Sequence, residues 1–165
     1  MDRTTSITIT VVILLLALLG MYLGWRARRR RQSALPLPLP VPADPGPTLF
    51  SAETLYAATT IAGAPLDRVA VRGLGFRGRA TVTVVGTGVI LGIAGTAEIY
   101  IPGADIRSVE RATWTIDRVV EAGGLVCVSW KLGETDLDSY FRVTESTDPM
   151  PLVRAIEGLL VKAAS

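Results

Sequence analysis

The sequence RATVTVVGTGVIL, residues 79–91, decides the fold of this chain. Its first six residues alternate between polar and apolar side chains, which is typical of a strand with one buried face. Gly86-Thr87-Gly88 then provides turn residues, and an apolar run follows at once. Two short strands joined by a glycine turn predict an antiparallel hairpin.

Similar short strands are predicted on both sides of this hairpin. We expect them at residues 53–60, 79–85, 89–91, 97–101, 107–114, 125–132 and 137–143. The first is expected to end in a turn at Gly63-Ala64-Pro65. Strands this short at such regular spacing indicate a β-sandwich or a barrel.

The last segment has helical periodicity instead. Asp148 or Thr147 can cap a helix that begins near Pro149. Its apolar residues share one helical face: Leu152, Val153, Ile156, Leu159 and Leu160. About seven strands followed by a closing amphipathic helix are the element order of a pleckstrin-homology-like (PH-like) split barrel, so we expect a mainly-β domain of that class.

An apolar run of 17 residues without a charge, ITITVVILLLALLGMYL, occupies residues 7–23. Up to Trp25 it is about 28 Å long as a helix, close to the thickness of a bilayer core. It predicts an N-terminal transmembrane α-helix over about residues 7–25. A cleaved signal peptide is the alternative, but there the basic residues precede the apolar run, which is also shorter.

Five arginines directly follow the apolar run: Arg26, Arg28, Arg29, Arg30 and Arg31. They predict a single-pass protein of the cell (inner) membrane, with its N-terminus outside and its C-terminal domain cytoplasmic. They either only fix this topology or also attract anionic lipid. Gly20 and Gly24 form a GxxxG pair that would let two helices approach closely, so a homodimer is an alternative to a single helix.

Proline occupies nearly every second position of ALPLPLPVPADPGP, residues 34–47. This spacing favours polyproline II over helix and sheet, so we expect a semi-rigid spacer of about 40 Å. A ligand for an SH3-type domain is the less favoured interpretation. The predicted organisation is an anchor segment at residues 1–25, a basic and proline-rich linker at 26–47, and the domain at 48–165.

Composition excludes several classes of function. The chain has no histidine and one cysteine, so imidazole-based triads and zinc sites are excluded. Cys127 lies in an apolar run and is expected to be a small core residue, not a reactive thiol. Residues 48–165 carry 11 basic and 13 acidic side chains, which argues against nucleic-acid binding. We expect no enzyme activity, cofactor or metal.

Several short motifs carry a resemblance to a known family. They are LYAATT at residues 55–60, PLDRV at 65–69, GLGFRG at 73–78, IP at 101–102 and LDSYFR at 137–142. With the anchor and the proline-rich linker, the chain resembles actinobacterial single-pass membrane proteins with a cytoplasmic PH-like domain. The resemblance implies that fold and location but no known activity or ligand, and the transporter or export labels given to such proteins find no support in a single helix.

The glycine-rich motif GLGFRG matches the GxGxxG of dinucleotide-binding proteins. In those proteins the motif opens a helix, whereas here a strand is predicted to follow, so a glycine loop between strands is the favoured interpretation. Arg72, Arg77 and Arg79 bring three guanidinium groups to this loop. PH domains that bind phosphoinositides use basic side chains at the matching position, so these arginines are candidate contacts for an anionic lipid; solvated arginines beside a turn are the alternative.

Two further segments leave alternatives open. Glu134, Asp136 and Asp138 alternate as in a calcium loop but lack the EF-hand spacing, so we expect an acidic hairpin. The segment WTIDRVV, residues 114–120, is either an exposed contact surface or an extension of its flanking strands into the core.

Two classes of function remain. In the first, the protein is a membrane-tethered, non-catalytic module that binds a protein or peptide partner at the cytoplasmic face. In the second, it is an accessory to lipid or solute handling and contacts anionic phospholipid headgroups through Arg72, Arg77 and Arg79.

Overall fold

The structure is a computed structural model that describes residues 3–33, 35–70, 73–112, 114–115, 118–119, 124–144 and 148–163. The chain divides into two compact units, Met1–Leu35 and Pro36–Ser165.

The first unit is one long helix, α1, at Arg3–Ser33. Within it, Ile7–Ala27 is long and apolar enough to cross a membrane, and none of that stretch is buried in the protein. No proline interrupts α1 between the apolar run and the arginines, so the helix continues through both. Tyr22 and Trp25, which suit the interface between lipid and water, have ring centroids 6.2 Å apart.

The second unit is built on one open antiparallel sheet. Its strands are β1 (Thr48–Ile61), β2 (Ala64–Arg68), β3 (Gly78–Val85), β4 (Gly88–Ile93), β5 (Ile99–Pro102), β6 (Ile106–Ala112), β9 (Leu125–Leu132) and β10 (Thr135–Val143). Two short strands, β7 (Trp114–Thr115) and β8 (Arg118–Val119), form a separate ribbon. A 3₁₀ turn at Gly103–Asp105 joins β5 to β6, and the closing helix α2 spans Met150–Ala163.

The strand order is β5-β4-β3-β1-β10-β9-β6, with β2 attached to β1. The 14-residue strand β1 joins the two halves of this order, because its first part pairs with β3 and its second part with β10. A register shift between Tyr56 and Ala58 marks a bulge in the pairing with β10, next to Tyr56, the last residue that pairs with β3. The sheet therefore bends around β1 into a split barrel with β5 and β6 at its two edges.

The core follows from the alternation of side chains along each strand. On β3, Ala80, Val82 and Val84 are buried while the residues between them are partly exposed. Helix α2 closes the barrel with its apolar face, and its buried residues are Leu152, Val153, Ile156 and Leu159. The Asp148 carboxylate accepts a hydrogen bond of 3.0 Å from the Met150 backbone N–H at the start of this helix.

The split barrel with an N-terminal apolar helix and a C-terminal helix confirms the expected fold class. One local prediction was wrong: Gly63-Ala64-Pro65 is not only a turn, because Ala64 already pairs with Ile61 as the first residue of β2. Since β2 lies at the edge of β1, a proline can be accommodated there. Helical capping at Asp148 is as expected, whereas Thr147 lies outside the described residues.

Within the segment 114–120, Trp114–Thr115 and Arg118–Val119 form the separate β7–β8 ribbon. Its side chains lie outside the described residues, and the choice between core and contact surface stays a prediction.

The proline-rich segment does not extend away from the barrel. The expectation of a free semi-rigid spacer of about 40 Å was therefore wrong. The compact unit begins at Pro36, and Leu39 forms an isolated antiparallel bridge with Tyr100 of β5. Proline removes backbone donors but leaves every carbonyl able to accept, so the segment can lie along a strand edge without forming a regular ladder.

Candidate functional site

The loop between β2 and β3 contains the arginines expected to contact an anionic lipid. Arg77 and Arg79 are exposed and lie on either side of Gly78, the first residue of β3. Arg72 lies outside the described residues. The loop also presents Phe76, whose side chain is 81% exposed, and this residue was missed from the sequence because the glycine pattern around it suggested only a turn.

The glycines of this loop have a structural role. Gly73 has a φ of +83°, which favours glycine, and a Cβ on Gly75 would lie 3.0 Å from the carbonyl oxygen of Ala70. Gly78 opens strand β3 and not a helix. A dinucleotide phosphate would need the amides of a helix N-terminus after the last glycine, so the GxGxxG match has no counterpart in the fold.

A buried chain of hydrogen bonds fixes the base of the same loop. Trp130 Nε1–H donates to Ser139 Oγ (2.9 Å), Ser139 Oγ lies 2.7 Å from Thr59 Oγ1, and Tyr56 Oη lies 2.7 Å from Thr59 Oγ1 and 2.9 Å from the Leu74 carbonyl oxygen. The indole can only donate and the carbonyl can only accept. The Tyr56 hydroxyl is thus the donor toward both the Leu74 carbonyl oxygen and Thr59 Oγ1, and either hydroxyl of the Thr59–Ser139 pair can donate to the other.

These hydrogen bonds link strands β1, β9 and β10 to the loop. Their four side chains are at most 1% exposed, and Leu74 is fully buried. Burial raises the pKa of Tyr56 to about 12, against the smaller opposing effects of the Thr59 hydroxyl and the Arg68 charge. The phenol therefore keeps its proton at neutral pH and holds the loop at Leu74, while Phe76 two residues further on points into solvent.

A second polar group lies on the outer face of β9 and β10. Burial, followed by the Asp138 charge, raises the pKa of the Cys127 thiol to about 11, although the thiol is only half-buried. Burial also raises the pKa of Tyr140, the partner of Cys127 across the two strands, to about 12. Ser129 donates a hydrogen bond of 2.6 Å to Asp138. A thiol that stays protonated at neutral pH is a poor nucleophile, so this group lacks the chemistry of a catalytic centre.

Cys127 is thus less buried than its apolar neighbours predicted. It faces outward with Ser129 and Lys131, whereas Val126 and Val128 face the core. The alternation of β9 decides this, and the expectation that Cys127 is a core residue was wrong.

The acidic residues after Gly133 do not act together in this structure. Glu134 lies in the turn and forms an exposed ion pair of 3.5 Å with Lys131. Asp138 accepts from Ser129. The segment is a hairpin between β9 and β10, as expected.

The two edges of the open sheet differ. The β5 edge is covered by the chain itself, since the Tyr100 backbone N–H donates to the Leu39 carbonyl over 2.9 Å. Among the described residues, β6 has a strand partner only on its β9 side. Helix α2 lies next to β6, and Arg107, Glu110 and Arg111 of this strand are exposed.

The membrane-facing candidates lie on α1. Gly20 and Gly24 have open space around them, with no atom within 4 Å of an added Cβ. Arg26 is exposed. The side chains of Arg28, Arg29, Arg30 and Arg31 lie outside the described part of the helix, so their lipid contacts stay a prediction.

An open seven-to-eight-stranded antiparallel barrel closed by a C-terminal helix defines a PH-like domain. A family model described as "Bacterial PH domain-like" matches residues 33–157, and the chain belongs to this family. PH-like domains are typically non-catalytic. A comparison with curated proteins finds none that matches the chain.

Proposed function

We propose that the protein is a membrane-tethered, non-catalytic module whose PH-like domain binds a protein or peptide partner at the cytoplasmic face of the cell membrane. The apolar helix α1 supports anchoring. The five arginines after the apolar run support an outside N-terminus and a cytoplasmic domain.

The observation that carries the binding proposal is the edge strand β6. An edge strand presents backbone N–H and C=O groups that can pair with an extended segment of another chain. Among the described residues no strand covers this edge, whereas residues of the same chain cover the edge of β5. The partner therefore adds a strand to β6 beside α2, and the exposed Arg107, Glu110 and Arg111 contact its side chains.

Site-directed photo-crosslinking in cells tests this proposal. A photoreactive residue replaces Arg111 of β6 in the full chain, and the matched control replaces Arg142, an exposed arginine of β10 in the interior of the sheet order. We expect a discrete crosslinked product from position 111 and none from position 142. Equal products at both positions, or products from neither, would refute binding at the β6 edge.

The exposed Phe76 favours a second candidate, contact with anionic lipid. An aromatic ring beside basic side chains suits the interface of an anionic bilayer, because the ring enters the headgroup layer while the charges meet phosphate. Phe76 is 81% exposed and is followed by the exposed Arg77 and Arg79. This loop would then serve lipid or solute handling.

An environment-sensitive fluorophore separates the two candidates. It is attached to Phe76→Cys in a Cys127→Ala background, with the full chain in nanodiscs that contain or lack anionic lipid. Lipid contact predicts a blue shift that requires anionic lipid and disappears with Arg77→Glu and Arg79→Glu. A label at the 98% exposed side chain of Glu134 is the control, and an unchanged spectrum like that of the control rejects lipid contact.

A further inference from the structure

The proline-rich segment at residues 36–47, called the strap below, is held to the barrel mainly through its carbonyl groups. Tyr100 N–H donates to Leu39 (2.9 Å), the Thr87 hydroxyl donates to Pro45 (2.8 Å), and Gly86 N–H donates to Pro47 (3.0 Å). The Tyr100 hydroxyl strengthens this contact because it lies 2.8 Å from Thr87 Oγ1 and 3.0 Å from the Thr87 carbonyl oxygen. The strap is thus attached by two backbone N–H groups, those of Tyr100 and Gly86, and by the Thr87 side chain, which the Tyr100 hydroxyl supports.

The strap buries little apolar surface. Leu37 is 68% exposed and Leu39 is 48% exposed. A groove of about 220 Å³ remains between the strap and the barrel, with Tyr100, Pro102 and Trp130 in its lining. A segment with few hydrogen bonds and a poorly filled interface opens at a lower free energy than the strands beneath it.

Release of the strap would change the reach of the domain. Only residues 34 and 35 lie between the end of α1 at Ser33 and the strap, and Leu35 is 5% exposed. If the strap leaves the barrel, its 12 residues become part of the free connection, and in polyproline II they span about 37 Å at about 3.1 Å each. Proline keeps this free chain extended, so the added reach is not lost to coiling.

Release would also uncover the edge of β5. The Tyr100 N–H that now donates to Leu39 would become available to another extended chain. We propose that the strap is a releasable latch: docked, it covers the β5 edge and holds the domain on a short tether, and released, it lengthens the tether and exposes that edge. This inference rests on the proposed membrane anchoring.

A redox-controlled lock tests the latch in the full chain in nanodiscs. Leu39→Cys and Tyr100→Cys replace the two bridged residues in a Cys127→Ala background, which leaves these two cysteines alone. The oxidised form holds the strap, and the reduced form lacks both the disulfide and the Tyr100 hydroxyl. A fluorescent non-natural amino acid at Glu134 reports the distance to an acceptor dye on the lipid surface.

We expect lower energy transfer after reduction than before it, and equally low transfer in Thr87→Val with Tyr100→Phe. The matched control is Ser51→Ala with Thr83→Val, which removes an exposed hydroxyl pair 3.2 Å apart between β1 and β3 and should leave the transfer unchanged. Equal transfer in the oxidised and reduced forms would overturn the latch.

Amide hydrogen exchange separates failure of the latch from failure of anchoring. The residue 100 and Gly86 amides should exchange about tenfold faster in the reduced form, because both donate to strap carbonyls. This readout needs no bilayer, so it decides whether the strap opens even if the chain does not insert. Unchanged exchange at both amides overturns the latch, whereas faster exchange without any change in energy transfer shows that the strap opens and overturns the anchoring on which the longer tether rests.

Discussion

The buried chain of hydrogen bonds yields the sharpest prediction, for Ser139→Ala. Ser139 accepts a hydrogen bond from the Trp130 indole and shares another with the Thr59 hydroxyl, and none of these three side chains is more than 1% exposed. Alanine would leave the indole N–H without a partner and would remove one hydrogen bond of the Thr59 hydroxyl, in a site that water does not reach. An unsatisfied buried polar group costs about 1–3 kcal/mol, so we expect a loss of about 2–4 kcal/mol in the free energy of unfolding.

Urea unfolding in mild detergent measures this loss, followed by tryptophan fluorescence in a Trp25→Phe background. The matched control is Ser51→Ala, since this serine is also on a strand but its hydrogen bond to Thr83 is exposed. We expect the control to change the free energy of unfolding by less than about 0.5 kcal/mol. If Ser139→Ala costs no more than Ser51→Ala, the buried chain does not stabilise the fold as described.

Three further substitutions and one pH dependence follow from the structure. Gly88→Ala should lower the free energy of unfolding by about 1–3 kcal/mol in the same urea assay, because the added Cβ overlaps the Ile101 carbonyl oxygen. Gly158→Ala in α2 should raise the free energy of unfolding by about 0.5–1 kcal/mol, because the added Cβ has open space around it. Asp148→Ala should lower the free energy of unfolding by about 0.5–2 kcal/mol, because it removes the hydrogen bond to the Met150 N–H at the start of α2. An unchanged free energy of unfolding in the Asp148 variant would contradict this. Cys127 ionises near pH 9 when unfolded and near pH 11 when folded, so the unfolded chain releases its proton first and stability should fall between these values. Cys127→Ala should reduce that fall, and an identical pH profile in the variant would refute the assignment.

Strands whose side chains alternate were predictable because one face must enter the core. Residues 79–85 and 125–132 were expected as strands and are found as β3 and β9 almost without change. The strand β2 was missed because Gly63, Ala64 and Pro65 have the composition of a turn, and only its position beside β1 makes a strand compatible with proline.

The strap and the site residues depend on tertiary contacts. The proline pattern correctly excluded a regular ladder, but it says nothing about carbonyl groups that accept bonds from Tyr100 and Thr87, residues about 40 or more positions away. The exposure of Phe76 likewise follows from the fixing of Leu74 by Tyr56, which is 18 residues distant. Arg77 in the loop and Arg79 at the start of β3 lie on either side of Gly78, but charge alone does not decide their role.

The proposed function requires that the apolar helix α1 and the PH-like domain act together. Proximity labelling from the intact chain, compared with a chain that lacks residues 1–32, tests this requirement. We expect the intact chain to label a defined set of membrane-associated neighbours and the shortened chain to lose them. The same set of neighbours from both chains would contradict a role for tethering.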